Sequence, residues 1–116
     1  MPTVLIVDDH PSFRSSAHAL LEAEGFEVVG EAEDGESAIE AVQRLRPDIV
    51  LLDVQLPDID GFEVTRRLTS NGAGPSIVLV SSRDGCDYGS LVSESGARGF
   101  VPKNELTGAA VSALLR

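Results

Sequence analysis

The side chains able to do chemistry sit at the ends of apolar runs. Asp8 and Asp9 follow Val4-Leu5-Ile6-Val7, and Asp53 follows Ile49-Val50-Leu51-Leu52. Ser81 and Ser82 follow the run Ser76–Val80, and Lys103 comes two residues after Val101. An aspartate after four apolar residues is costly unless it finds a partner. Three carboxylates brought into one crevice repel, and either raised pKa values or a bound cation must compensate. Oxygen-only ligands at an open, hydrated site suit Mg²⁺ or Mn²⁺ better than zinc. A lysine there adds a flexible point charge that can neutralise a phosphate oxygen. The Ser81 hydroxyl can donate to the same group. A carboxylate beside a divalent cation and a lysine can act as a nucleophile towards phosphorus.

Such convergence needs a sheet that gathers strand ends on one edge. Short β-branched runs predict strands at Thr3–Val7, Glu27–Ala32, Ile49–Leu52, Ser76–Val80 and Gly99–Val101. Helical spacing fills the intervals. Pro11–Glu24 carries Phe13, Ala17, Leu20 and Leu21 on one stripe, with Gly25 as its stop. Asp34 reads as the N-cap of Glu36–Leu45, which Pro47 ends. Gly61–Thr69 is a third helix, closed by Asn71-Gly72. Asp84–Ser95 is expected to be a fourth, of low propensity because of its glycines and serines. Glu105–Leu115 is the fifth, with Arg116 suiting the negative end of its dipole.

Strands alternating with helices predict an α/β domain with a parallel sheet. Val4-Leu5-Ile6-Val7 and Ile49-Val50-Leu51-Leu52 are continuously apolar, as in strands covered on both faces, whereas Glu27–Ala32 is partly polar and reads as an edge. Right-handed crossovers and an edge second strand favour the order 2-1-3-4-5. In that order Asp8, Asp9 and Asp53 meet at the C-terminal strand ends, where open α/β sheets bind ligands.

The remaining bounds are set by composition. A chain of 116 residues, 42% hydrophobic and 24% charged, reads as one globular domain over 1–116. The formal net charge of −10 argues against direct nucleic-acid binding and against an anionic membrane surface. The single cysteine, Cys86, leaves no internal disulfide and no Cys-based zinc site. No leader pattern and no run of transmembrane length is visible, so a cytoplasmic domain is expected.

Taken together, the pieces Val4-Leu5-Ile6-Val7-Asp8-Asp9-His10-Pro11, Arg46-Pro47-Asp48-Ile49-Val50-Leu51-Leu52-Asp53, Leu56-Pro57-Asp58-Ile59-Asp60-Gly61 and Gly96-Ala97-Arg98-Gly99-Phe100-Val101-Pro102-Lys103 resemble a receiver (CheY-like) domain of a two-component response regulator. The resemblance runs over essentially the whole chain. It is greatest to receivers that precede helix-turn-helix (NarL/LuxR-type) output domains in transcription regulation. It implies a flavodoxin-like, doubly wound five-stranded sheet with five helices. It also implies a switch rather than a conventional enzyme, one that supports its own phosphorylation and slow autodephosphorylation. Asp53 matches the phosphoacceptor, Asp8 and Asp9 the acidic pair that holds Mg²⁺, and the Gln55 carbonyl a further metal ligand. Ser81 matches the switch hydroxyl, Lys103 the lysine that pairs with the phosphoryl group, and Phe100 the switch aromatic. The Gln55 and Arg83 side chains match positions that tune phosphoryl lifetime. The implied partners are a sensor histidine kinase or phosphotransfer protein, an output domain beyond the chain end, and a second copy through the fourth or fifth helix.

Three departures stand out. The switch hydroxyl is a serine with a second serine beside it, and Ser81 is preferred for its separation from Lys103. The switch aromatic is Phe100, which has no hydroxyl. Asn104 follows Lys103 where the family often has a cis proline, and a cis bond before a non-proline residue costs about 3 kcal/mol or more, so a trans bond is expected.

Other readings weigh less. His10 reads as exposed near the site mouth, His18 as a helix-flank residue and Cys86 as a packing or loop residue. Pro57 and Gly61 read as backbone punctuation that shapes the Gln55 loop. A phosphorylation-independent interaction module would not need the acid cluster that this chain keeps. A metal-dependent phosphohydrolase would need a cap domain and an Asp-x-Asp-x-Thr motif, and neither is present. Glycine-rich nucleotide loops and the G-x-S-x-G elbow are also missing.

Overall fold

The computed structural model describes residues 2–70, 74–82, 88 and 90–115. Strands β1 (Thr3–Val7), β2 (Glu27–Ala32), β3 (Ile49–Asp53), β4 (Ser76–Ser81) and β5 (Gly99–Pro102) alternate with helices α1 (Pro11–Ala23), α2 (Gly35–Leu45), α3 (Gly61–Thr69), α4 (Leu91–Glu94) and α5 (Gly108–Leu114). All pairings are parallel and the order is β2-β1-β3-β4-β5, as the sequence predicts. β1 and β3 lie inside the sheet and β2 at its edge.

The period of two along the strands divides the core into two layers. Leu5, Val7, Val50, Leu52, Ile77 and Leu79 pack with α2 and α3 residues such as Ala38, Phe62 and Val64. Val4, Ile6, Ile49, Leu51, Val78 and Val80 pack on the other face with Ala17 and Leu21 of α1 and Val111 of α5. Burying both faces removes apolar surface worth roughly 25 cal/mol per Å² from water. It also fixes the register, because a slip by one residue would exchange the two layers.

Local signals set the helix ends. The Asp34 carboxylate accepts from the Ser37 N–H and the Asp60 carboxylate from the Glu63 N–H, so both cap a helix start. Arg46, left-handed at φ 48°, closes α2 ahead of Pro47. Gly25, at φ 95°, makes the turn after α1 that a side chain would strain.

Two helices differ from expectation. α5 begins at Gly108, not Glu105, because the Thr107 hydroxyl caps the Ala110 N–H. Leu106 is extended and buried, while Lys103–Glu105 form a separate 3₁₀ turn. Among the described residues the expected helix over 84–95 is reduced to Leu91–Glu94, with Tyr88 and Ser90 in turns. The rest of that expectation, with Arg83 and Cys86, lies outside the described residues, as do the Asn71-Gly72 stop and Arg116. No cis peptide bond occurs among the described residues, so Lys103–Asn104 is trans as expected.

Candidate functional site

The strand register carries the site. Val7 pairs with Leu52, Asp53 with Val80 and Ser81 with Pro102. The residues that follow therefore crowd one edge of the sheet. Asp8 and Asp53 are buried there and Asp9 is exposed. One ligand atom from each of Asp8, Asp9, His10 and Asp53 lies within 4.8 Å of the others.

Lys103 supplies the opposing charge. Its Nζ lies 2.6 Å from Asp8 Oδ2 and 3.4 Å from Asp53 Oδ2, and 4.6 Å above the centre of the Phe13 ring. The 3₁₀ turn that opens at Lys103 starts directly after β5, which aims the side chain back over the strand ends. Asp53 Oδ1 accepts from the Gln55 N–H at 3.1 Å. Burial pushes the Asp53 carboxyl above the usual carboxylate range, and the Asp8 charge adds to this. The Gln55 N–H and the Lys103 ammonium oppose the rise without cancelling it.

The acidic pair is tied down from the other side. Asp8 Oδ1 accepts from the His10 N–H at 2.8 Å and lies 2.9 Å from His10 Nδ1, which is also 3.1 Å from Asp9 Oδ1. Arg14 donates to the Asp8 carbonyl at 2.6 Å. His10 is exposed near the mouth as expected, but its contacts with both aspartates were not foreseen.

The three aspartates of this set offer carboxylate oxygens, which fit a hard divalent cation, and Asp8 Oδ2 is buried without a hydrogen-bond partner among the described residues, its close neighbour being the Lys103 ammonium. The ammonium at 2.6 Å is the positive charge that a bound cation would replace at this oxygen.

Ser81 is buried at the end of β4, and its Oγ is 2.9 Å from the Tyr88 hydroxyl. The Tyr88 ring packs between Phe62 at 5.4 Å and Phe100 at 5.5 Å. Sequence reasoning passed over Tyr88 entirely. Its spacing matches no motif, and only the tertiary path brings it to Ser81. Phe100 is half-buried beside it.

The loop from β3 to α3 is fastened at several points. The Gly61 N–H donates to the Val54 carbonyl at 2.7 Å. The Asp58 carboxylate accepts from the Gly35 and Glu36 N–H groups at the start of α2, at 2.8 and 3.0 Å. Gln55 lies on this loop with its residue exposed. No helix among the described residues is long and apolar enough to cross a membrane.

The family model for the response regulator receiver domain matches residues 4–114. The chain is 37% identical over 101 residues to the transcriptional regulatory protein DegU of Brevibacillus brevis, covering 86% of this chain and 43% of that protein. It is 36% identical over 101 residues to the DNA-binding transcriptional activator EvgA of Escherichia coli, covering 87% of this chain and 50% of that protein. The chain thus spans about half the length, or less, of these curated relatives. A LuxR-family two-component response regulator from an Aurantimonas species has the same fold, with a TM-score of 0.88 and 31% identity over 99% of this chain and 86% of that one.

Proposed function

The chain belongs to the response regulator receiver domain family, and from that premise we propose that it is a phosphoacceptor switch occupying residues 1–116 as one domain. Asp53 is the nucleophile. The observation that carries this reading is the buried Asp53 carboxylate, held by the Gln55 N–H on one oxygen and facing the Lys103 ammonium at 3.4 Å with the other. A hydrogen-bonded, pre-aimed carboxylate needs little reorganisation before attack.

The donor is a phosphohistidine of a sensor histidine kinase or phosphotransfer protein. An Asp53 oxygen forms a bond to phosphorus as the phosphorus–nitrogen bond breaks. The leaving imidazole nitrogen keeps the electron pair and takes up a proton. Lys103 shifts its charge from the Asp8 and Asp53 carboxylates towards the phosphoryl oxygens, and the Ser81 hydroxyl donates to one of them. Asp8, Asp9, Asp53 and the Gln55 carbonyl would hold Mg²⁺ or Mn²⁺, which when bound neutralises charge on the phosphoryl group. Phe100 takes part in the change of surface that follows. Slow loss of the group to water returns the domain to its first state. The relatives' names support an output role in transcription, and we place that output in a further domain, in the cytoplasm.

Intact mass spectrometry after incubation with acetyl phosphate and Mg²⁺ tests the reading. Wild type gains one phosphoryl group, while Asp53→Asn and wild type with chelator gain none. Undiminished labelling of the asparagine variant would sink the assignment of Asp53. A phosphorylation-independent module finds no support, since the acidic residues and Lys103 do converge.

A further inference from the structure

The hydroxyl that Phe100 lacks is present nearby, on a different element. Tyr88 stands in a turn ahead of α4, yet its ring reaches across to Phe62 of α3 and Phe100 of β5. Its phenol oxygen lies 2.9 Å from Ser81 Oγ, and Ser81 is buried. The ring is thus wedged between two aromatic neighbours, and the hydroxyl is delivered to the one serine that the proposed switch uses.

We propose that Tyr88 is a positioning residue that holds the Ser81 hydroxyl in the unphosphorylated protein and yields it when Asp53 carries a phosphoryl group. The phenol, rather than Phe100, is then the side chain that reads the state of Ser81. This rests on the phosphoacceptor reading above. The chemistry is a matter of protons. A serine hydroxyl has one hydrogen to give, and a phosphoryl oxygen can only accept. Once Ser81 donates to the phosphoryl group, it has nothing left to give the phenol. Tyr88 must then act as donor to Ser81 or leave it. Turning Ser81 towards the phosphoryl group also moves its oxygen relative to the phenol, so the Ser81–Tyr88 contact is remade or lost, and with it the packing of the ring against Phe62 and Phe100. That carries the event at Asp53 to the turn before α4.

The chain offers its own reporter, because Tyr88 is its single tyrosine and tryptophan is absent. Tyrosine emission and intact mass are followed together on the full chain after acetyl phosphate and Mg²⁺ are added. Emission should change in proportion to the phosphorylated fraction, and not at all in Asp53→Asn. Tyr88→Phe keeps the ring and loses the hydroxyl, while Tyr88→Leu loses both. If the hydroxyl restrains Ser81, both variants lengthen the lifetime of the adduct by roughly two- to tenfold, the factor a single neutral hydrogen bond commands. An adduct with unchanged emission and an unchanged lifetime in Tyr88→Phe would overturn the role of Tyr88 and leave Asp53 as phosphoacceptor. An effect confined to Tyr88→Leu would reduce the residue to packing and overturn it too. Absence of any mass gain on wild type would remove the phosphoacceptor reading and this inference with it.

Discussion

His18 sits between two acids, with Nδ1 at 2.9 Å from Glu31 and Nε2 at 3.3 Å from Glu22. The hydrogen bond that the ring donates to Glu31 raises its pKa above the ordinary value of about 6.5, partial burial opposes, and the charges of Glu22 and Glu31 complete the rise. A folded value above the unfolded one stabilises the protein fully below about pH 6.5, and the gain is lost as pH rises through the folded value. The effect is small because the imidazole is exposed to solvent. A titration of the His18 ring by NMR should give a midpoint above about 6.5, and His18→Gln should flatten the pH dependence of urea unfolding just above it. Single residues were legible where type and position agreed. Asp8, Asp9, Asp53, Ser81 and Lys103 each end a strand or come just after one, and a parallel sheet has only one edge on which to gather them. The contact of Tyr88 with Ser81 and those of His10 with Asp8 and Asp9 were not legible. They depend on loop paths that no periodicity encodes.

The β3–α3 junction shows what an element can demand of one position. A methyl group at Gly61 would lie 2.5 Å from the Asp53 carbonyl oxygen and 2.8 Å from the Val54 Cα. Both are backbone atoms of the segment that carries Asp53, the proposed nucleophile, so they cannot step aside without moving it. Gly61→Ala should cost about 1–3 kcal/mol in urea unfolding, and it should slow labelling by acetyl phosphate. An unchanged unfolding midpoint would show that the loop relaxes freely. Strands were read from sequence to within a residue, because apolar runs between turn residues leave little choice. The first helix followed from its apolar stripe and the second from its cap, and the third was read over Gly61–Thr69 as it stands. α5 did not, since Leu106 looks like a helix-face residue but is extended and buried. The capping hydroxyl of Thr107 was the signal that could have placed its start.

Across the whole molecule, 19 acidic side chains face 9 basic ones, and the sum is −10. Self-repulsion of this size opposes the compact state, and added salt screens it. The melting temperature should therefore rise with sodium chloride at low ionic strength, as read by circular dichroism. A fall would mean that the ion pairs of Arg14, Arg66 and Arg67 outweigh the net charge. The described residues fasten the site on two sides. On the α3 side, Gly61 is bonded to Val54, the Thr65 hydroxyl to the Gly61 carbonyl, and Asp58 to the head of α2. On the β4 side, Ser81 and Tyr88 meet through two hydroxyls that can exchange roles as donor and acceptor. In the proposed switch the bonded α2–α3 side is thus the stator: a load placed on Asp53 meets fastened backbone there, while on the β4 side it meets a pair of hydroxyls that can trade a proton.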